Sequence, residues 1–395
     1  MRILFVPFSA PSHYLPMVPL IWACRMAGHE VCVAGDRSVE AAVLASGTPM
    51  VTIGRAVDIA DEQKRARRLV ERPDGSVDEL AVIGMMLELY AEITRAAAAD
   101  VVPFVRDWRP DLVLGDPLAF VAPIAAAQAG APMVRHLWGP DIMRAFRVAG
   151  SGAPVRYWPA SLRELYERYA CEPRADAGVA TVDPCPASLE VTEVPERIPV
   201  RYIPYNGSGI VPPSVVARPR RRRVLVTWGT TLIRREGIDK FPVAGVVKAA
   251  LDHDCEVVAA VAAADRQYIE DFRSEITIVE NVPIGMIMPT CDAVVHHGAS
   301  GTMLTAAHHG VPQVVAPATP DVQAYCVPLV ALGAGVSVRA TGATQDSIMD
   351  AMSAALTGDE IRGAAADLRD EIAAQPDPAE AVARLERLAG RREVS

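Results

Sequence analysis

Two hydrophobic periods alternate along this chain. Apolar runs of strand length recur at residues 3–6, 30–34, 50–53, 112–114 and 133–137, and again at 223–227, 256–261, 276–279, 293–296 and 313–316. Stretches with helical spacing lie between them, so parallel sheets with crossover helices are expected rather than hairpins. The second series opens as the first does. The expected fold class is α/β with two Rossmann-like doubly wound domains, since 395 residues exceed what one core organises. A helix is expected over residues 16–27, with Gly28 as its C-cap. Residues 77–108 read as long amphipathic stretches interrupted by Pro103. The divisions expected are an N-terminal domain at 1–205, a linker at 206–221 and a C-terminal domain at 222–375. A final helix at 376–395 is expected to pack back on the N-terminal domain. Doubly wound sheets bind ligands at the carboxyl ends of their strands, so the active site is expected in a central cleft between the domains.

Composition narrows the class. Half the residues are hydrophobic, 22% are charged and the net charge is −9, which disfavours a nucleic-acid partner. No stretch approaches the roughly 18 uninterrupted apolar residues of a membrane span. The apolar start is broken by Pro7, Pro11 and His13, so it reads as a buried strand, and a cytoplasmic location is expected. The seven cysteines form no CxxC pair and no metal-ligand spacing, and read as reduced thiols. The basic run Arg218, Arg220, Arg221, Arg222 and Arg223 reads as a solvated linker.

The sharpest motif is Asp292-Ala293-Val294-Val295-His296-His297-Gly298-Ala299-Ser300-Gly301-Thr302. A strand ends in a small-residue loop that opens a helix at about Met303. Glycines admit a diphosphate, helix amides stabilise its charge, and Ser300, Thr302, His296 and His297 are candidate donors. There is no Gly-Lys-Ser/Thr here, so it is not a Walker loop. Thr227-Trp228-Gly229-Thr230-Thr231, after another strand, offers Gly229 and Thr230 as further phosphate contacts.

In the first half, Phe8-Ser9-Ala10-Pro11-Ser12-His13 places a histidine just past a strand. Imidazole suits removal of a proton from an attacking hydroxyl near neutral pH. A lone histidine is also a common structural donor. The neighbouring strand ends Leu114-Gly115-Asp116-Pro117, so Asp116 either orients His13 or caps a helix. GxGxxG is absent from this loop, which weakens a dinucleotide reading.

Taken together these residues resemble the antibiotic and macrolide glycosyltransferases of family 1, along nearly the whole chain. The likeness is carried by Ser12-His13, the stretch from Arg25 to Val31, Arg109-Pro110-Asp111, Leu137-Trp138-Gly139-Pro140-Asp141, the stretch from Arg201 to Gly207, His296 to Thr302, and Gly310-Val311-Pro312-Gln313. The resemblance implies a GT-B fold and inverting, metal-independent transfer of a sugar from a nucleotide. It places the base at His13, its partner at Asp116 and the diphosphate at residues 296–302. Acceptor contacts are expected from Ser12, Met85, Leu89, Trp138 and Met143, in segments that also hold Met86, Tyr90 and Phe146. The chain departs from the family pattern in three places. Ala299 replaces a glycine. Asn281-Val282 stands where an aromatic residue would stack on the base. Asp321-Val322 stands where Asp-Gln would contact sugar hydroxyls.

The last departure favours a poorly hydroxylated sugar. The expected donor is therefore a thymidine-diphosphate (TDP) deoxysugar and the acceptor a small polyketide-type aglycone, with no cofactor and no metal. A homodimer and an auxiliary protein partner are both compatible with the resemblance. A sugar-nucleotide epimerase and a non-catalytic sugar-nucleotide binder remain as alternatives, the first needing its catalytic groups on the donor side, the second needing no His13–Asp116 pair.

Overall fold

The computed structural model describes the chain apart from residues 73–76, 230, 231 and 391–395. The chain divides into two compact units, one of residues Met1–Pro184, Thr192–Val200 and Pro376–Ser395, the other of Cys185–Val191 and Arg201–Gln375.

The first unit holds strands β1 (Arg2–Val6), β2 (Glu30–Gly35), β3 (Met50–Thr52), β4 (Leu112–Gly115), β5 (Met133–His136), β6 (Ala180–Asp183) and β7 (Arg197–Pro199). They pair in parallel in the order β3-β2-β1-β4-β5-β6-β7. Ile3, Leu4, Phe5 and Val6 are all buried, so β1 is an unbroken apolar run, as both-face coverage by crossover helices requires. The second unit holds β8 (Arg223–Thr227), β9 (Glu256–Val261), β10 (Thr277–Glu280), β11 (Ala293–His296), β12 (Gln313–Val315) and β13 (Gly335–Ser337), in the parallel order β10-β9-β8-β11-β12-β13. Strand order reverses between β1 and β4 in one sheet and between β8 and β11 in the other. At each reversal the connections leave in opposite directions and open a crevice at the carboxyl ends.

Three expectations need correcting. Pro103 does not interrupt its segment. Glu79–Trp108 is one helix of 30 residues with Pro103 near its end, where a single forfeited N–H bond is offset by the buried neighbours Val101, Val102 and Val105. The segment taken as a linker is partly core, since it carries a short helix, Pro213–Val216, whose Val215 packs with Leu225 and Val258. Arg223 does not belong to the solvated basic run. It is 4% exposed and donates to the carbonyls of Ser214, Val215 and Ala217, to Thr290 Oγ1 and to Glu256 Oε2.

The final helix, Pro378–Gly390, lies within the first unit against the helix Val18–Met26, where Glu386 reaches His29 at 3.1 Å. No described helix is long and apolar enough to cross a membrane. None of the seven cysteines forms a disulfide, and five of them are buried.

Arg223→Ala leaves buried carbonyls and Glu256 without their donor and should destabilise the chain by about 3 kcal/mol. Arg220→Ala and Arg221→Ala should stay within about 0.5 kcal/mol. Urea unfolding of the three variants checks this.

Candidate active site

In the first unit the crevice between β1 and β4 assembles a pair. A short helix, Pro11–Tyr14, follows β1, and Pro11 in its first turn presets the backbone that carries His13. His13 Nδ1 lies 2.8 Å from Asp116 Oδ2, on the residue that follows β4. The other carboxylate oxygen, Oδ1, accepts from Leu118 N–H at 2.8 Å. Of the two alternatives open in the sequence, Asp116 meets His13 with one oxygen and closes a turn on Leu118 with the other, and it caps no helix, since the next one, Val121–Ala129, has Phe120 at its N-cap and no side-chain cap. Its side chain is 1% exposed and that of His13 15%. With Nδ1–H given to the carboxylate, Nε2 is left as the proton acceptor.

The imidazole is packed between Phe8, at a centroid distance of 5.1 Å, and Trp138, at 4.1 Å. Trp138 stands in the loop after β5. A buried ion pair brackets that loop, with Arg135 Nη2 donating to both Asp141 oxygens at 2.8 Å. Trp138 is therefore the expected acceptor residue that the fold brings to His13. Ser12 is exposed on the short helix, and Met143 is half-buried in the helix Ile142–Ala145. Met85 is exposed and Leu89 half-buried on the long helix, whereas Met86 and Tyr90 join the core. An open crevice also adjoins the strand ends, with Phe8, Tyr90 and Phe120 as aromatic walls and Ser9, Asp36, Arg55 and Thr94 as polar ones. Of the residues that the sequence places about the acceptor, Tyr90 lines it, whereas Ser12, Met85, Leu89, Trp138 and Met143 do not. Its polar members, Arg55 among them, sit on four separated segments, which sequence spacing does not connect.

In the second unit the crevice between β8 and β11 holds the glycine loop. The helix here is Ser300–His309, starting three residues earlier than expected, so Ser300, Gly301 and Thr302 form its first turn. Ala299 is the N-cap residue and supplies no side-chain cap. Its φ of −61° and ψ of 140° suit any residue, so the missing glycine costs the backbone nothing. Gly298, by contrast, has φ +92°, and a Cβ there would stand 2.6 Å from Cys326 Sγ and 2.7 Å from Val322 Cγ1. Gly229 has φ +69°, and its Cβ would meet the His297 ring at 2.7 Å. Gly229 and His297 thus come together at the strand ends. Thr230 lies outside the described residues.

Two donor expectations change. His296 is fully buried, its Nε2 paired with Gln313 Oε1 at 2.9 Å and its Nδ1 accepting from Gly298 N–H at 3.0 Å. Both ring nitrogens being used, His296 pins the loop rather than touching a phosphate. Val322 is buried under Gly298, in the first turns of the helix Pro320–Ala331 beside half-buried Asp321, and does not face a sugar. Asn281, exposed after β10, holds a left-handed φ of +54°, and Val282 packs on the core.

Sequence reasoning gave Gln313 no role, although an amide in an apolar strand was the available signal. It also passed over the buried Trp228, whose Nε1 donates to Asp265 Oδ2 at 2.9 Å just before Gly229.

Comparison with known proteins places this geometry. The spinosyn rhamnosyltransferase SpnG complexed with thymidine diphosphate matches with a TM-score of 0.80 and 30% identity, over 98% of this chain and 100% of that one. The 3-alpha-mycarosylerythronolide B desosaminyl transferase of Saccharopolyspora erythraea is 33% identical over the full length of both chains. The tylactone mycaminosyltransferase of Streptomyces fradiae is 32% identical over 98% of this chain and 92% of its own. The two parallel Rossmann-like units and their loops are those of a glycosyltransferase of GT-B architecture. Family models for the erythromycin biosynthesis protein CIII-like N-terminal domain match residues 22–229, and those for the C-terminal domain match 244–388. The chain belongs to that family.

Burial lowers the His296 and His136 imidazoles to about 4. Below pH 6.5 the unfolded chain takes protons that these folded sites refuse, so their contribution to stability is present above 6.5 and lost as pH falls towards 4. Each unit of depression is worth about 1.4 kcal/mol. Urea midpoints at pH 7, 5.5 and 4 should fall accordingly, with a shallower slope in His296→Gln.

Proposed function

We propose that the chain is an inverting, metal-independent glycosyltransferase. It moves a deoxysugar from thymidine diphosphate onto a hydroxyl of a polyketide-type natural product such as a macrolide, aromatic polyketide or enediyne. The observation that carries the reading is the 2.8 Å His13–Asp116 contact under Trp138, in a family whose members are named for desosaminyl and mycaminosyl transfer. The acceptor hydroxyl gives its proton to His13 Nε2 as its oxygen bonds to the anomeric carbon. The bond from that carbon to the diphosphate breaks on the opposite face, which inverts configuration. Asp116 stabilises the imidazolium, and so much of this charge pair is buried that its attraction is poorly screened.

On the donor side, the amides of Ser300 and Gly301 open the helix at a residue with no side-chain cap, where an anion is stabilised by aligned amides and the helix dipole. The space over Gly301 is open. Support for thymidine comes from the nucleotide bound to the similar rhamnosyltransferase. Support for a deoxysugar comes from the relatives' names and no longer from Val322, which faces the core.

Mass spectrometry and NMR of products from a panel of aglycones and TDP-deoxysugars test the reading, and retention of the anomeric configuration would overturn it. His13→Ala should lose about 100- to 10,000-fold in turnover while still binding thymidine diphosphate. Asp116→Asn should be slowed as well, since the amide no longer stabilises the imidazolium. Thymidine diphosphate at about 100 times its Kd should stabilise the fold by about 2.7 kcal/mol. Greater protection by uridine diphosphate would reassign the base.

A further inference from the structure

The segment 201–207, conspicuous in sequence, carries a network to which the proposed chemistry gives no part. Tyr202 is buried, and its hydroxyl lies 3.2 Å from the Gly301 carbonyl and 3.2 Å from Thr305 Oγ1. Thr305, fully buried one turn along the same helix, donates to that carbonyl at 2.7 Å. Asn206 Nδ2 donates to Thr305 Oγ1 at 3.1 Å, while Asn206 Oδ1 accepts from Gly285 N–H at 2.9 Å. The donor count closes. Thr305 spends its one proton on Gly301 and accepts from the Asn206 amide, while the one Tyr202 proton is shared between the Gly301 carbonyl and Thr305 Oγ1. Burial pushes the Tyr202 phenol up to about 12, so it stays a donor at neutral pH.

Two glycines admit this segment. A Cβ on Gly285 would stand 2.8 Å from Asn206 Oδ1, and one on Gly209 only 2.1 Å from the Asn281 carbonyl oxygen. The segment therefore touches the first turn of Ser300–His309 at one end and the stretch 281–285 at the other. Both belong to the second unit.

We infer that Tyr202, Thr305 and Asn206 are positioning residues for the sugar nucleotide. Tyr202 and Thr305 hold the turn that meets the diphosphate, and Asn206 sets its spacing to residues 281–285. This rests on the reading of residues 297–302 as the diphosphate site and of exposed Asn281 as a nucleoside contact. A ligand that spans both elements gains from fixed spacing, whereas one that touches the helix end alone does not.

Calorimetric titration of the full chain with thymidine diphosphate and with inorganic pyrophosphate tests the inference. Thr305→Val, nearly isosteric, should weaken both ligands about tenfold, and Thr305→Ser, which restores the hydroxyl, should bind both as the wild type does. Asn206→Ala should weaken thymidine diphosphate about tenfold and leave pyrophosphate within about twofold. In that variant KM for the donor should rise with kcat at saturation unchanged. Should Thr305→Val lose its melting transition, Tyr202→Phe keeps the ring volume and supplies the same measurement, with a loss of about threefold. Wild-type affinity for thymidine diphosphate in Asn206→Ala, or in whichever of Thr305→Val and Tyr202→Phe is folded, would overturn the inference and leave the proposed function standing. A wild-type chain that binds neither ligand would overturn the diphosphate site and the inference with it.

Discussion

The candidate site in each unit depends on where strand order reverses. In a parallel sheet the connections on either side of a reversal depart in opposite directions, so only there do two strand ends leave space between their loops. The first unit fills that space with His13 and Asp116, the residues beyond β1 and β4. The second fills it with Gly229 and the residues beyond β11, beginning with His297. Neither constellation is local in sequence. His13 and Asp116 stand 103 residues apart, and the fold reduces that separation to one hydrogen bond.

The histidines show how environment divides one residue type between tasks. His13 keeps partial exposure and one nitrogen committed to a carboxylate, which leaves the other available to a substrate. His296 gives up both nitrogens to the protein and is held neutral by burial. It acts through geometry, fixing the left-handed turn at Gly298. The helix end that follows is left uncapped by its own chain. An N-terminus without a side-chain cap is a deficit in stability that a bound anion makes good.

Much of this was legible in the sequence because period and motif act locally. The apolar runs located β1, β8, β9 and β11 to within a residue, and the strand ends then named His13, Asp116 and the glycine loop. β6, β7 and β13 escaped because Asp183, Arg197 and Ser337 break their apolar pattern. What failed depended on the partner of a side chain rather than on its type. Arg223 reads as one more surface arginine until five acceptors from other segments surround it. Val322 reads as a sugar contact until Gly298 is seen above it. The aromatic and polar walls near β1 come from separate loops and a distant helix, so no spacing rule links them.

The path of the chain has a consequence for biosynthesis. The backbone leaves the first unit after Val200, completes the second by Gln375, and only then returns with the helix Pro378–Gly390 to cover Val18–Met26. During synthesis the second unit is finished first, while the unit begun earliest waits with an apolar helix face open to solvent. That face of the first unit is therefore open to aggregation or chaperone capture until residues 378–390 have been made.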